Sequence, residues 1–244
     1  MSDCIHIVNF SGGKDSTAML LLMLENGYHI DEIIFCDTGL EFPEMYKHID
    51  KVEEYINRPI TRLKSDKSFE YYMFDHIKTK GKYKGRAGYG FPTHLKRWCT
   101  RVFKIDTCNK YLKEKYPDKQ IVFYNGYAFD EIKRVKIYDE FHQQPLIDYG
   151  VTEADALQRC YTAGFDWGGL YKRFSRVSCW CCPFQGIKDL RNLYYFYPNF
   201  WKQLEEWQSK NDITFRADGS VFDFSKRFKE EFEKYESYYT LKLY

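Results

Sequence analysis

The chain predicts an α/β fold: a Rossmann-like parallel sheet followed by a mostly helical region that carries cysteines. Three observations predict it. Through the first half, short apolar runs alternate with longer amphipathic ones, the pattern of strands joined by crossover helices. At the N-terminus, the apolar run Ile5–Phe10 leads through Ser11-Gly12-Gly13-Lys14-Asp15-Ser16 into the apolar run Thr17–Leu24. After about residue 145 the alternation stops, and a Gly- and Cys-rich stretch at 164–186 precedes an aromatic tail. The division expected from this is an α/β domain over residues 1–150 and a Cys-containing helical region over 151–244.

The elements follow in order. Ile5–Phe10 reads as a buried strand and Thr17–Leu24 as a buried helix. Ile33–Cys36 is a second strand, ending at Asp37-Thr38-Gly39. Pro43 opens a helix with Met45, Ile49, Val52 and Ile56 on one face. Pro59–Leu63 is a weaker strand, Val102–Leu112 a helix, and Ile121–Tyr124 a strand leading into Gly126. Thr152 with Asp155 forms a capping-box pattern that opens a helix through Cys160. In the tail, Phe200, Leu204 and Trp207 share a helix face, as do Phe224, Phe228, Phe232, Tyr235 and Tyr239. These stripes read as packing faces.

Composition bounds the class. The 244 residues are 30% charged and 44% apolar, which fits a globular chain and excludes a disordered one. The longest apolar run, Ala18–Leu24, is far too short for a membrane span. No secretory signal pattern precedes the first strand, so a cytoplasmic protein with thiols and not disulfides is expected. The net charge of +2 hides a local imbalance. No acidic residue lies between Asp75 and Asp106, while that interval holds Lys78, Lys80, Lys82, Lys84, Arg86, Lys96, Arg97, Arg101 and Lys104. Tyr83, Tyr89, Phe91 and Trp98 interleave with them. Such a 78–104 loop suits a nucleic-acid substrate or a small phosphorylated one; a solvated loop or a lid over phosphates is the alternative.

The 11–16 segment has the physical makings of a phosphate cradle. Two glycines let backbone approach an anion, and the first-turn amides and dipole of the following helix favour its charge. Lys14 adds a cation; Ser11 and Ser16 add hydroxyls. A Walker A loop is excluded, because Val8 stands where its first Gly belongs and Asp15 where its Ser or Thr belongs. A G-x-G-x-x-G fingerprint is absent. Ser11 to Thr17, S-G-G-K-D-S-T, instead resembles the PP-loop of the N-type ATP pyrophosphatases. That superfamily includes sulfate adenylyltransferase small subunits, phosphoadenosine-phosphosulfate (PAPS) reductases, tRNA thiolases and DNA phosphorothioation enzymes. Asp37-Thr38-Gly39-Leu40-Glu41-Phe42 resembles a stretch of the first two. Gly126, Glu131 and Arg134 match a superfamily segment near the nucleotide, from which Ala128 and Ile132 depart. The Asp37 carboxylate reads either as a ligand for a ribose hydroxyl or magnesium, or as a turn cap.

Eight cysteines complete the reading. Cys4, Cys36 and Cys108 sit in apolar surroundings and read as packed thiols. Cys179 and Cys182 form C-x2-C, a chelating spacing for zinc or an iron–sulfur cluster. Cys99 is a candidate third ligand, and Cys160 or Cys181 a fourth. The segments around Cys99 and Cys179 resemble superfamily elements whose cysteines often hold a [4Fe–4S] cluster, and Ser178 replaces the Gly found there.

The resemblance implies an adenine nucleotide alpha hydrolase-like fold. It implies attack of an acceptor on the α-phosphorus of ATP, with magnesium and loss of pyrophosphate. The ATP-binding set is then Ser11, Gly12, Gly13, Lys14, Asp15, Ser16, Asp37, Thr38, Gly126 and Glu131. Lys14, Asp15 and Arg134 are the expected catalytic residues, and Cys99, Cys160, Cys179 and Cys182 the metal set, holding a [4Fe–4S] cluster or Zn2+. Sulfur transfer follows, with a sulfur-donor protein as partner and a homo-oligomer left open. The reductase cysteine of the C-terminal E-C-G-L-H element has no counterpart after Cys182. Alternatives are a sulfate-assimilation adenylyltransferase or reductase, and a zinc-containing nucleic-acid-binding module without catalysis.

Overall fold

The computed structural model describes residues 4–241, with side chains through residue 234. Two compact units make up the chain: Met1–Asp66 with Thr100–Lys172, and Lys67–Cys99 with Arg173–Tyr244. This differs from a division at residue 150, for two physical reasons. Residues 151–172 join the first unit because their helix packs on the first helix of the sheet domain. Residues 67–99 join the second because Phe69 and Trp98 stack into its aromatic core.

The first unit is a five-stranded parallel sheet in the order β3-β2-β1-β4-β5. Its strands are β1 (Cys4–Asn9), β2 (Glu32–Asp37), β3 (Ile60–Lys64), β4 (Gln120–Asn125) and the two-residue β5 (His142–Gln143). The first four lie where the apolar runs predict them; β5 is too short and too polar to leave a pattern. Strand order reverses at β1, so the carboxyl ends of β1 and β4 form the switch point where open α/β sheets bind ligands. Asn9 pairs with Asn125 in register there, and their side chains hydrogen-bond at 2.8 Å.

Helix α1 (Lys14–Glu25) is buried over Ser16–Met23, which explains its apolar run without a polar stripe. Helix α2 (Pro43–Ile56) starts on Pro43 and buries Met45, His48, Ile49 and Val52. It stops where Asn57 takes a left-handed conformation, φ 49°. The predicted helix 102–112 is in fact a π-helical turn, Arg101–Asp106, followed by α3 (Thr107–Lys115). Helix α4 (Glu153–Thr162) carries the expected capping box between Thr152 and Asp155.

The second unit is helical. It contains a π-helical turn at Tyr71–Asp75 and helices α5 (Ile187–Phe196), α6 (Pro198–Ser209) and α7 (Val221–Leu241). Its core is a run of aromatic rings. Trp98 lies 4.8 Å from Phe69, Phe69 5.6 Å from Trp207, Trp207 5.3 Å from Trp180, and Trp180 4.7 Å from Phe200. Two of these buried indole N–H groups have acceptors of their own unit: Trp98 donates to the Gly90 carbonyl and Trp207 to Glu70. Leu204, Trp207, Phe224 and Phe228 are buried as their stripes predict, whereas Phe232 is exposed. The side chains of Tyr235 and Tyr239 lie outside the described residues. Among the described residues, no helix is long and apolar enough to cross a membrane.

Candidate active site

The 11–16 loop joins β1 to α1 at the switch point. Gly12 adopts φ +77°, and a Cβ there would sit 2.6 Å from the Met45 sulfur. Gly126, at the end of β4, is fixed by space: a Cβ would lie 2.9 Å from the backbone N and Cα of Ser16. The two strand ends therefore approach as closely as backbone allows. A cavity of about 630 Å3 opens here. Ser11, Ser16, Asn125, Gly126 and Arg134 line it, together with Glu41, Lys104 and Asn109.

The loop is braced by the unit's own side chains. The Ser11 and Ser16 hydroxyls lie 3.0 Å apart, and Ser16 also donates to the Gly13 carbonyl. The Lys14 amide donates to the Tyr171 hydroxyl at 2.8 Å, and the Trp167 indole to the Gly12 carbonyl at 2.8 Å. The Lys14 ammonium, read from sequence as a mobile charge, is buried. It is clasped by Asp15 at 2.8 Å and Glu153 at 2.9 Å. Burial pushes the Asp15 carboxyl above its ordinary range, against the lowering pull of Lys14. Carboxylate oxygens of Asp15, Glu131 and Glu153 lie within 4.8 Å of one another, close enough to share a divalent cation.

The 3-10 turn Phe129–Arg134 carries Glu131 and Arg134, which form an ion pair. Arg134 also lies over the Tyr127 ring. Asp37 caps its turn. Its buried carboxylate accepts from the Gly39 amide and the Tyr46 hydroxyl, both at 2.8 Å, and pairs with Lys64 at 3.0 Å. Thr38 braces the same turn by donating to Glu41 and accepting from the Leu40 amide. The loop after β2 is thus held, and Glu41 is the part of it that reaches the cavity.

The cysteines divide between the units. Cys160 belongs to the first. It is fully buried on α4, donates its S–H to the Lys14 carbonyl, and burial pushes its thiol up to about 12. Cys99, Cys179, Cys181 and Cys182 belong to the second. Cys179–Cys182 is a tight turn closed by the Cys182 amide on the Cys179 carbonyl. Gln185 donates to the carbonyls of Cys179 and Trp180, and Arg216 to those of Pro183 and Gln185. Trp180 and Cys181 point into the core, while Cys179 and Cys182 are half-buried. The Arg176 guanidinium lies 4.0 Å from the Cys182 sulfur. Ser178 Oγ beside this turn is buried without a partner. Two half-buried thiols at the two ends of one turn are donors that suit a soft metal. Cys99, in the same unit, is half-buried as they are.

The sequence missed Glu153, Trp167, Tyr171 and the Asn9–Asn125 pair. Glu153 had one local signal, its place in a first helical turn beside the Thr152 cap. Trp167 and Tyr171 act on residues about 155 positions away and leave no local pattern.

Residues 5–184 match the family model of the phosphoadenosine phosphosulfate reductase domain. An uncharacterized protein of Methanocaldococcus jannaschii is 27% identical over 229 residues, covering 85% of this chain and 43% of that protein. The chain therefore spans less than half the length of that relative. A PAPS reductase from Candida auris, in phosphate complex, aligns with TM-score 0.48 and 13% identity, covering 74% of this chain and 82% of that one. A U34-tRNA thiolase from Methanococcus maripaludis, described with its [4Fe-4S] cluster, aligns with TM-score 0.44 and 14% identity over 96% of this chain and 74% of that one. With its sheet, its loop and most of its length inside the matched span, the chain belongs to the phosphoadenosine phosphosulfate reductase domain family.

Proposed function

We propose that the protein is an ATP pyrophosphatase that adenylylates an acceptor and serves sulfur transfer to a nucleic acid or a small molecule. One observation carries this reading. The S-G-G-K-D-S loop stands at the switch point of a 3-2-1-4-5 sheet, at the mouth of a cavity of about 630 Å3. A nucleotide seated there puts its phosphates against the α1 N-terminus, where amides and helix dipole favour negative charge. An acceptor oxygen attacks the α-phosphorus, the bond to the bridging oxygen breaks, and pyrophosphate leaves with that electron pair. Lys14 and Arg134 offset the charge that gathers on the leaving group. Asp15, Glu131 and Glu153 are the carboxylates that would hold magnesium beside those phosphates. Such catalysis is positional and electrostatic, so no side-chain nucleophile is needed.

Cys179 and Cys182 would hold an iron–sulfur cluster or zinc, with Cys99 as the further candidate and Cys160 left to packing. A cluster with an open iron position supplies a place to bind and hand on sulfur. Adenylylation itself needs no step at the cysteines.

The test is incubation with ATP, magnesium and candidate acceptors, with nucleotide and phosphate products separated. The reading expects pyrophosphate in an amount equal to AMP, counted as adenylylated acceptor and free AMP together. ADP with orthophosphate would refute it. Anaerobic purification with iron, sulfide and zinc analysis tests the cysteine set independently.

A further inference from the structure

Lys78, Lys82, Arg86 and Lys96 crowd around two tyrosine rings in the second unit, with no carboxylate among them. Arg86 lies 5.3 Å from the Tyr83 ring centre, and Lys78 and Lys82 each 5.9 Å. Lys96 lies 5.0 Å from the Tyr89 ring and Lys78 6.0 Å. Elsewhere in the same unit Arg191 and Arg227 pair with Glu231, and Arg216 with Asp218. The hairpin supplies no acidic residue of its own, because none occurs between Asp75 and Asp106. The ring faces relieve a little of the mutual repulsion, yet Lys78 is still held below the ordinary lysine range, by burial first and then by Lys96 and Arg86.

A solvated mobile loop would not need to be held in place. This one is. The Lys78 amide donates to the Arg86 carbonyl, and the Gly85 amide to the Lys78 carbonyl. The amides of Gly88, Tyr89 and Gly90 donate back to the carbonyls of His76, Tyr72 and Met73. Gly88 adopts φ +63°, and a Cβ on it would meet the Met73 carbonyl oxygen at 2.4 Å. The base of the hairpin is therefore locked, and its cations are presented on a fixed frame. Tyr83 stands among them half exposed.

We infer that the Ile77–Lys96 hairpin is a binding surface for single-stranded nucleic acid, its cations on the phosphates and Tyr83 under a base. Four cations around two rings exceed the charge of a single phosphate and suit a polyanion. An exposed ring among them is used only by a ligand whose bases are unpaired and able to stack. The inference rests on the second unit alone and does not depend on the nucleotide chemistry proposed above.

The probe is a fluorescently labelled 20-mer of mixed sequence, as DNA and as RNA, titrated with the full chain in the absence of ATP. With four to six phosphates neutralised, affinity should fall about 100-fold between 50 and 200 mM salt. The triple variant K82E/K84E/R86E should weaken binding at least tenfold and flatten the salt dependence. Tyr83→Ala should cost about tenfold while leaving the salt slope in place. All four positions are exposed, and circular dichroism checks that the variants fold. Binding by one or both strand types supports the inference and tells DNA from RNA as the source. Salt-independent binding, wild-type affinity in the triple variant, or equal affinity for a 20-bp duplex would overturn it. Pyrophosphate release without oligonucleotide binding would overturn this inference alone.

Discussion

Lys14 in the first unit and Cys182 in the second are held in opposite ways. Lys14 sits in a polar clasp, with its ammonium on two carboxylates, its amide on a tyrosine hydroxyl and its carbonyl on a thiol. Cys182 sits on a turn whose carbonyls are bonded to Gln185 and Arg216, and whose adjoining Trp180 is stacked between Trp207 and Phe200. Its sulfur lies 4.0 Å from the Arg176 guanidinium. The first site is therefore preorganised by hydrogen bonds on a sheet, and the second by ring packing. The difference teaches where each is vulnerable. A site held by polar bonds loses function to small polar changes, while a site hung on aromatic packing fails through its scaffold.

The largest effect should come from that scaffold. Trp207→Ala opens a cavity between Phe69 and Trp180 and leaves Glu70 without its indole donor, a loss of roughly 3–5 kcal/mol. Denaturant unfolding should show it, and metal uptake at the cysteines should fall with it. Intact metal loading in the folded variant would mean that packing does not position the turn. Lys14→Ala should lower the rate of pyrophosphate release by roughly 10²–10³-fold, as loss of one preorganised charge does. A change under tenfold would put the catalytic cation elsewhere. Gly126→Ala drives a methyl into the Ser16 backbone and should cost about 1–3 kcal/mol in stability. ATP affinity should drop with it.

Tyr171→Phe removes one acceptor from the Lys14 amide and should cost about 1 kcal/mol, read in thermal melts and ATP titration. The smallest effect is a pH dependence. His48 is buried against Thr17, Phe165 and Trp167, and burial pushes it from 6.5 down to about 3. The unfolded chain protonates first, so this contribution to stability is whole above pH 6.5 and drains as pH falls towards 3. Melting temperature should drop over that window, and less so in His48→Gln. An equal drop in both would assign the dependence to other groups.

The two units also differed in how far they could be read from sequence. Strands at 5–10, 33–36 and 121–124 announced themselves because parallel strands are apolar throughout, and Gly12 and Gly126 because backbone must pass close there. Asp37 was visible but ambiguous, since an aspartate before Thr-Gly caps a turn as readily as it binds a ligand. The C-x2-C turn was legible from spacing. Its neighbours were not, because ring stacking between Phe69, Trp98, Trp180 and Trp207 joins residues up to 138 apart without any period. The boundary at residue 150 missed for the same reason: Cys160, Trp167 and Tyr171 belong to the loop at 12–14 only through long-range bonds.

Those long-range bonds set an order of assembly. Gly12 and Lys14 leave the ribosome about 150 residues ahead of their partners Cys160, Trp167 and Tyr171. At synthesis rates of roughly 5–20 residues per second, that is a wait of about 7–30 seconds. Through that interval the loop lacks the hydroxyl, thiol and indole that brace it. The 11–16 loop is encoded about 150 residues ahead of the groups that brace it, so in a nascent chain it should become rigid only once Tyr171 has emerged.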